Sequence, residues 1–275
     1  MPYLALPDGC PLWFSDEGTG PVLVMLQGLQ FPCGYFWQKV APDLAKTNRV
    51  ITIDLRGQGL SGKSAGGHSI AGNADDLAFA LDVLKVEKAL LLGVAYGGMV
   101  ALTYLQRHGA SRLRGLCLSE MTARLTNAEG WEHPTFGDFP LEAGAGFAAG
   151  VRADRTAALG GFLLSSFANT PDAATLAEMT AQTWLTPTET VATLIEDMVA
   201  QDYRAMLATV ALPTLLVYGR ATNPVMPGEI GRWMQGRIAG SELVELPGAG
   251  HSPFWDDPQG FVAAVADFAR RNRGQ

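Results

Sequence analysis

A chain of 275 residues with 48% hydrophobic content can bury one large core, and it fits a single α/β domain carrying an insertion better than two equal domains. Its net charge of −7 comes with scattered signs, and no run of Lys and Arg is dense enough to follow a phosphate backbone, which argues against a nucleic-acid partner. The amino end, Met1 to Gly9, has no charged segment leading into an apolar stretch, and no apolar run approaches a membrane span, so a cytoplasmic protein without a membrane partner is expected.

Strand and helix signals alternate along the chain, the pattern of a mainly parallel sheet covered by helices on both faces. Residues Asp16 to Gly20 read as the turn of an opening hairpin. Short, nearly all-apolar strands follow at Pro21–Leu26, Arg49–Asp54, Ala89–Gly93, Leu113–Ser119, Thr214–Tyr218 and Glu242–Leu246. Between them, Ile70 to Leu84 reads as a helix with Asn73, Asp75 and Asp76 outward and Leu77, Ala80, Leu81 and Leu84 as its apolar stripe.

Residues 122–206 break this rhythm. They are rich in Ala and Gly, contain no buried strand, and show helical patterns at Asp154–Phe167, Asp172–Thr183 and Pro187–Gln201. Thr170 and Thr186, each before a proline, look like hydroxyl caps. The segment is expected to be a helical lid set into a core made of residues 1–121 and 207–275. Its aromatics, Trp131, Phe136, Phe139, Phe147, Phe162, Phe167 and Trp184, are too many for a solvent-facing insert. Most are expected to pack the lid onto the core, and Trp131, Phe136 and Trp184, with His133, Met121 and Gln27, are candidates to touch substrate.

The chemistry centres on position 95. Gly93-Val94-Ala95-Tyr96-Gly97-Gly98 is a tight strand-to-helix turn, with Gly93 and Gly97 where a side chain would meet backbone. A serine at the apex would be the nucleophile of such a turn, but Ala95 has neither a proton to release nor a lone pair to attack with. Either a serine enzyme has had its nucleophile replaced, so that substrate is held uncleaved, or a natural alanine serves binding or non-covalent chemistry. The intact glycines favour the first.

The base for such a site is His251, presented by Gly248-Ala249-Gly250-His251-Ser252-Pro253 at a strand end. His108 closes a helix, His68 lies in a glycine-rich loop and His133 in the lid. A histidine base needs an orienting group. No acid follows the strand ending at Gly219 before Glu229, so Glu120, at the end of the preceding strand, is the expected third member and Asn223 the neutral runner-up. Asp54 is expected to fix its own loop by bonding backbone or Arg56. Backbone N–H groups of Tyr96 and of Gly28 or Leu29 are the expected oxyanion donors. Cys10, Cys33 and Cys117 are too scattered for a disulfide framework, and no H-x-x-x-H or C-x-x-C spacing occurs, so neither metal nor cofactor is expected. Nothing fixes the oligomeric state, and a homodimer stays open.

The elbow, the Gln27-Gly28-Leu29 turn, Asp54-x-Arg56-Gly57-x-Gly59-x-Ser61, the lid and the terminal Gly-x-Gly-His occur in an order that resembles the α/β-hydrolase superfamily over nearly the whole chain. That resemblance implies a mostly parallel eight-stranded sheet with helices on both faces and an inserted helical lid. It also implies hydrolysis of a small-molecule carboxylic ester or lactone through an acyl-enzyme, with Ala95 marking the missing serine. Glu120, the acid-free loop from Gly219 to Pro224 and the Gln27-Gly28-Leu29 turn look most like the zearalenone-type lactone hydrolases. Two other classes compete: a cofactor-independent lyase, cyclase or dioxygenase using His251 and Glu120 as a base, and a non-catalytic small-molecule receptor.

Overall fold

The computed structural model describes residues 3–221, 225–226 and 228–273. Eight strands form one sheet: β1 (Tyr3–Ala5), β2 (Pro11–Glu17), β3 (Val22–Leu26), β4 (Arg49–Ile53), β5 (Ala89–Val94), β6 (Leu113–Ser119), β7 (Thr214–Gly219) and β8 (Glu242–Leu246). Their spatial order is β1-β2-β4-β3-β5-β6-β7-β8. From β4 to β8 all neighbours are parallel, whereas β2 runs antiparallel to both β1 and β4.

The apolar runs become strands because both faces of the sheet are covered. Side chains alternate across it: Val24, Leu26, Leu91, Leu116, Leu118 and Leu216 enter one core cluster, and Leu23, Met25, Leu90, Leu92, Cys117 and Leu215 enter the other. The first core is covered by α3 (Ile70–Val83) and α4 (Tyr96–His108), the second by α1 (Cys33–Phe36), α2 (Ala41–Leu44) and α12 (Pro258–Arg271). Five helices lie between β6 and β7: α5 (Leu141–Ala153), α6 (Arg155–Ser165), α7 (Ala173–Thr183), α8 (Thr188–Ala200) and α9 (Arg204–Leu207). Between β7 and β8 comes α10 (Ile230–Gln235), and α11 (Pro253–Asp256) precedes α12. Among the described residues no helix is long and apolar enough to cross a membrane.

Several local expectations are corrected. The opening hairpin joins β1 to β2 through Leu6–Cys10. Asp16 to Gly20 instead lead from β2 to β3, which are not neighbours because β4 lies between them. Asn73 and Asp76 are buried rather than outward: Asn73 Nδ2 donates to the Tyr96 hydroxyl at 2.7 Å, and Asp76 accepts from Arg56 Nε at 2.7 Å. Asp75 does reach the surface, half-buried on Arg107 and His108. The cap of α7 is Asp172, which accepts from the Thr175 N–H at 2.8 Å, not Thr170. Thr186 does not cap α8; its hydroxyl donates to the Gln30 carbonyl at 2.8 Å. Helix α5 carries no strong periodic signal, being more than half Ala and Gly, and forms by packing along α8.

Candidate active site

The site gathers at the carboxyl ends of β3, β5, β6 and β8, where parallel strands deliver loops to one edge. Ala95 follows β5 with φ 47° and ψ −111°, a left-handed conformation costing a residue with a Cβ roughly 1–2 kcal/mol. Its surroundings hold it there. Its N–H donates to the Ser119 carbonyl at 3.0 Å, and its carbonyl accepts from Gly98 and Met99 in the first turn of α4. A Cβ on Gly97 would stand 2.5 Å from the Leu26 carbonyl, so the elbow closes against β3 only with glycine there. The Tyr96 N–H, at the start of α4, has no acceptor within its own helix, and Tyr96 is part of the cavity wall.

Glu120 follows β6, also left-handed at φ 46°, and is 1% exposed. One carboxylate oxygen accepts from the Gly219 N–H at 2.6 Å and the other lies 3.1 Å from His251 Nδ1. A buried carboxylate is costly without such partners. This pairing fixes the imidazole tautomer with Nδ1–H toward Glu120 and leaves Nε2 as the free base position. Tyr218, beside it, has its hydroxyl pKa pushed well up by burial and by the Glu120 charge, and donates to the Met121 carbonyl at 2.6 Å. Asn223 lies outside the described residues.

One contributor escaped the sequence reading. Asp256 Oδ2 accepts from the Gly250 N–H at 2.8 Å and from the Ala168 N–H at 2.9 Å, tying the loop that carries His251 to the helical insert. Its only sequence signal is an acid a few residues after the histidine, next to Asp257, which caps α12. Asp54 fixes its loop through backbone rather than Arg56: it accepts from the Cys33 N–H at 2.5 Å and the Leu60 N–H at 2.6 Å, while Arg56 goes to Asp76 and Asp8. Burial raises the Asp54 carboxyl pKa.

Ala95, Tyr96, Gly28, Leu29 and His251 all line one cavity of about 160 Å³. Its remaining wall is mostly apolar, with Gln30, Thr135, Ser166 and Ser252 among its few polar members. From the insert come Phe136, Phe139, Phe147, Phe162 and Phe167, so five of its seven Phe and Trp residues line the cavity where packing was expected for most. The Phe162 ring stands edge-on to His251, centroids 6.0 Å apart. From the core come Tyr35, Phe36, Phe254 and Trp255.

Of the six residues expected to touch substrate, Phe136 lines this cavity and the other five are off its wall. Trp131 and His133 cluster with Trp233, Trp131 edge-on to it at 4.8 Å. Trp184 is 52% exposed, its ring under the Arg155 guanidinium at 4.7 Å. Met121 packs over Gly98, where a Cβ would stand 2.7 Å from its Sδ. Gln27 is fully buried below the loop that Gly28 and Leu29 contribute to the wall. The reason is common to all five: proximity in sequence to the site does not set which face of a loop or helix a side chain leaves from.

A family model for the alpha/beta hydrolase fold matches residues 21–258, and the chain belongs to that family. A pimeloyl-[acyl-carrier protein] methyl ester esterase of Neisseria meningitidis serogroup B is 30% identical over 85% of this chain and 87% of its own length. A 3-oxoadipate enol-lactonase of Acinetobacter baylyi is 28% identical over 92% of this chain and 90% of its own. Among solved structures, an esterase from Exiguobacterium antarcticum superposes with a TM-score of 0.90 at 25% identity, covering 98% of both chains.

Proposed function

We propose that the cavity binds a hydrophobic carboxylic ester or lactone, and that this chain is the non-turning, substrate-holding form of a serine-type hydrolase whose nucleophile position is Ala95. The observation carrying this reading is that the apex keeps its left-handed backbone while Glu120 and His251 remain paired and buried. Strain of that kind persists only where the surroundings impose it. The esterase and lactonase names of the relatives support the same substrate class.

With a hydroxyl at position 95 the chemistry follows. Oγ attacks the acyl carbon as His251 Nε2 takes its proton, and Glu120 stabilises the imidazolium. The tetrahedral oxyanion rests on the N–H groups of Tyr96 and of Gly28 or Leu29. His251 then passes the proton to the leaving alkoxide, and water, deprotonated by the same histidine, releases the acid. With Ala95 the first bond cannot form, so the ester stays bound and intact. Residues 122–206 act as a cap over the cavity held by a core of residues 1–121 and 207–275.

The cavity volume limits the substrate. About 160 Å³ is close to the space that holds a single benzene ring. A one-ring or short-chain ester therefore fits as the structure stands, whereas a macrocycle of the zearalenone type requires the insert helices to part. A second reading draws on the same Glu120–His251 bond: the pair needs no nucleophile to act as a base on an acidic C–H or O–H, which suits a lyase, cyclase or dioxygenase. A receptor would use the cavity alone.

The test is labelling of the chain and its Ala95→Ser variant with a fluorophosphonate, read by intact mass, with hydrolysis of a panel of small aryl and alkyl esters and lactones. One adduct and turnover in the variant alone are expected. A folded variant that stays unlabelled overturns the acyl-transfer reading, and activity of the alanine form that disappears in His251→Ala establishes the base-only one.

A further inference from the structure

Arg155, the first residue of α6, is 5% exposed and has no carboxylate partner among the described residues. Burial lowers its pKa. Its guanidinium donates to the carbonyls of Thr183 at 2.7 Å and Thr186 at 2.6 Å, at the end of α7, which accounts for two of its donors as a helix C-terminal cap. The third contact is different: Nη2 donates to Gln30 Oε1 at 3.1 Å. Because arginine only donates, the Gln30 atom facing it must be the oxygen, and the amide orientation is set by chemistry rather than chosen.

Gln30 is 5% exposed, forms part of the cavity wall, and follows Gly28 by two residues in the same loop. Its backbone is held at φ 74° from both sides: its N–H donates to Gln58 Oε1 at 2.6 Å, and its carbonyl accepts from Thr186. A left-handed glutamine secured this thoroughly is a positioned group. With Oε1 committed to Arg155, its NH₂ is the end left for the cavity.

We propose that Gln30 is a catalytic residue of this site, its side-chain N–H donating to the substrate's carbonyl oxygen beside the backbone donors, and that Arg155 is the positioning residue that turns the amide that way. This rests on the ester or lactone reading above. The positive charge behind Oε1 also polarises the amide, making its N–H a stronger donor as the oxygen gains negative charge.

The experiment uses the Ala95 chain and phenyl acetate carrying ¹³C at its carbonyl, whose stretching band reports hydrogen bonding to the oxygen. A band moved to lower wavenumber is expected on binding. Gln30→Glu is isosteric, keeps an acceptor for Arg155 and removes the donor; it is expected to leave the thermal midpoint unchanged or higher while the band shift is measurably reduced, the backbone donors keeping the rest. In Ala95→Ser the same substitution is expected to lower kcat about 10²-fold with little change in KM. Arg155→Met should also diminish the shift, and Arg155→Lys should restore part of it. A Gln30→Glu chain that keeps both the shifted band and its turnover overturns the proposal while leaving the ester reading standing. No bound band in the Ala95 chain overturns the ester reading and this inference with it.

Discussion

The sheet edge and the helical insert meet at the cavity but are built on opposite principles. At the edge, each polar group of the site is tied to backbone: Ala95 through Ser119, Glu120 through Gly219, the His251 loop through Asp256. The insert contributes rings and thioethers, Phe162 and Met179 among them, that touch the cavity through dispersion and apolar burial. It also leaves Leu141, Leu164, Trp184 and Leu185 at 40% exposure or more. Directional bonds fix an atom to within tenths of an ångström, while apolar contacts tolerate sliding. The geometry of reaction therefore belongs to the edge, and the shape and identity of the ligand to the insert.

The sharpest break between the two should appear in kinetics of the Ala95→Ser background. His251→Ala is expected to lower kcat by about 10³-fold or more, and Glu120→Gln, which keeps an acceptor but loses the charge that steadies the imidazolium, by about 10²-fold. Neither should change KM greatly; a KM effect larger than the kcat effect in steady-state assays would erase the division of labour. Phe162→Ala, on the insert, is expected to do the reverse, raising KM for phenyl acetate several-fold and admitting bulkier esters with kcat nearly kept, as competition assays between small and large esters would reveal.

How much of this was legible beforehand divides along the same line. Strands β3 to β8 were legible to within a residue because burial on both faces demands unbroken apolar runs, and the turns of Ala95 and His251 because their glycines record backbone contacts local in sequence. The Glu120–His251 bond spans 131 positions, yet the missing acid after β7 pointed to it by elimination. What depends on partners from distant segments was not legible. Asn73 and Asp76 look like solvent-facing polar residues until Tyr96 and Arg56 are placed against them. The opening hairpin was misplaced because Gly-rich residues turn a chain whether or not the next strand pairs. The cavity wall was misjudged at Trp131, His133 and Trp184, since aromatic content does not encode which way a loop faces. Gln30 and Arg155 leave only a faint trace, a cation at a helix start where the dipole disfavours it.

The smallest effect expected concerns how the two ends of the insert are held to each other. Asp202, between α8 and α9, bonds Arg204 and Arg124, and the Arg204 contact first, with backbone and Arg124 bonds, lowers its pKa to about 2. A folded-state pKa below the unfolded one adds stability at higher pH that is lost as pH falls through the folded value. Thermal midpoints measured from pH 5 to pH 2 should thus fall slightly less in Asp202→Asn than in the parent, with the difference growing below pH 3.8. Because this carboxylate is partly exposed, salt should shrink the difference.

The split loyalty of Glu120 also bears on the order in which the protein can be made. Its two carboxylate partners, Gly219 and His251, both come from the final quarter of the chain. Until β7 is added, β6 is an open edge of the growing sheet, with a row of unpaired backbone groups ready to accept a strand from another nascent chain. An ionised carboxylate at the end of that edge is a deterrent to such pairing. The same side chain can be buried and paired only when the last strands arrive to claim it.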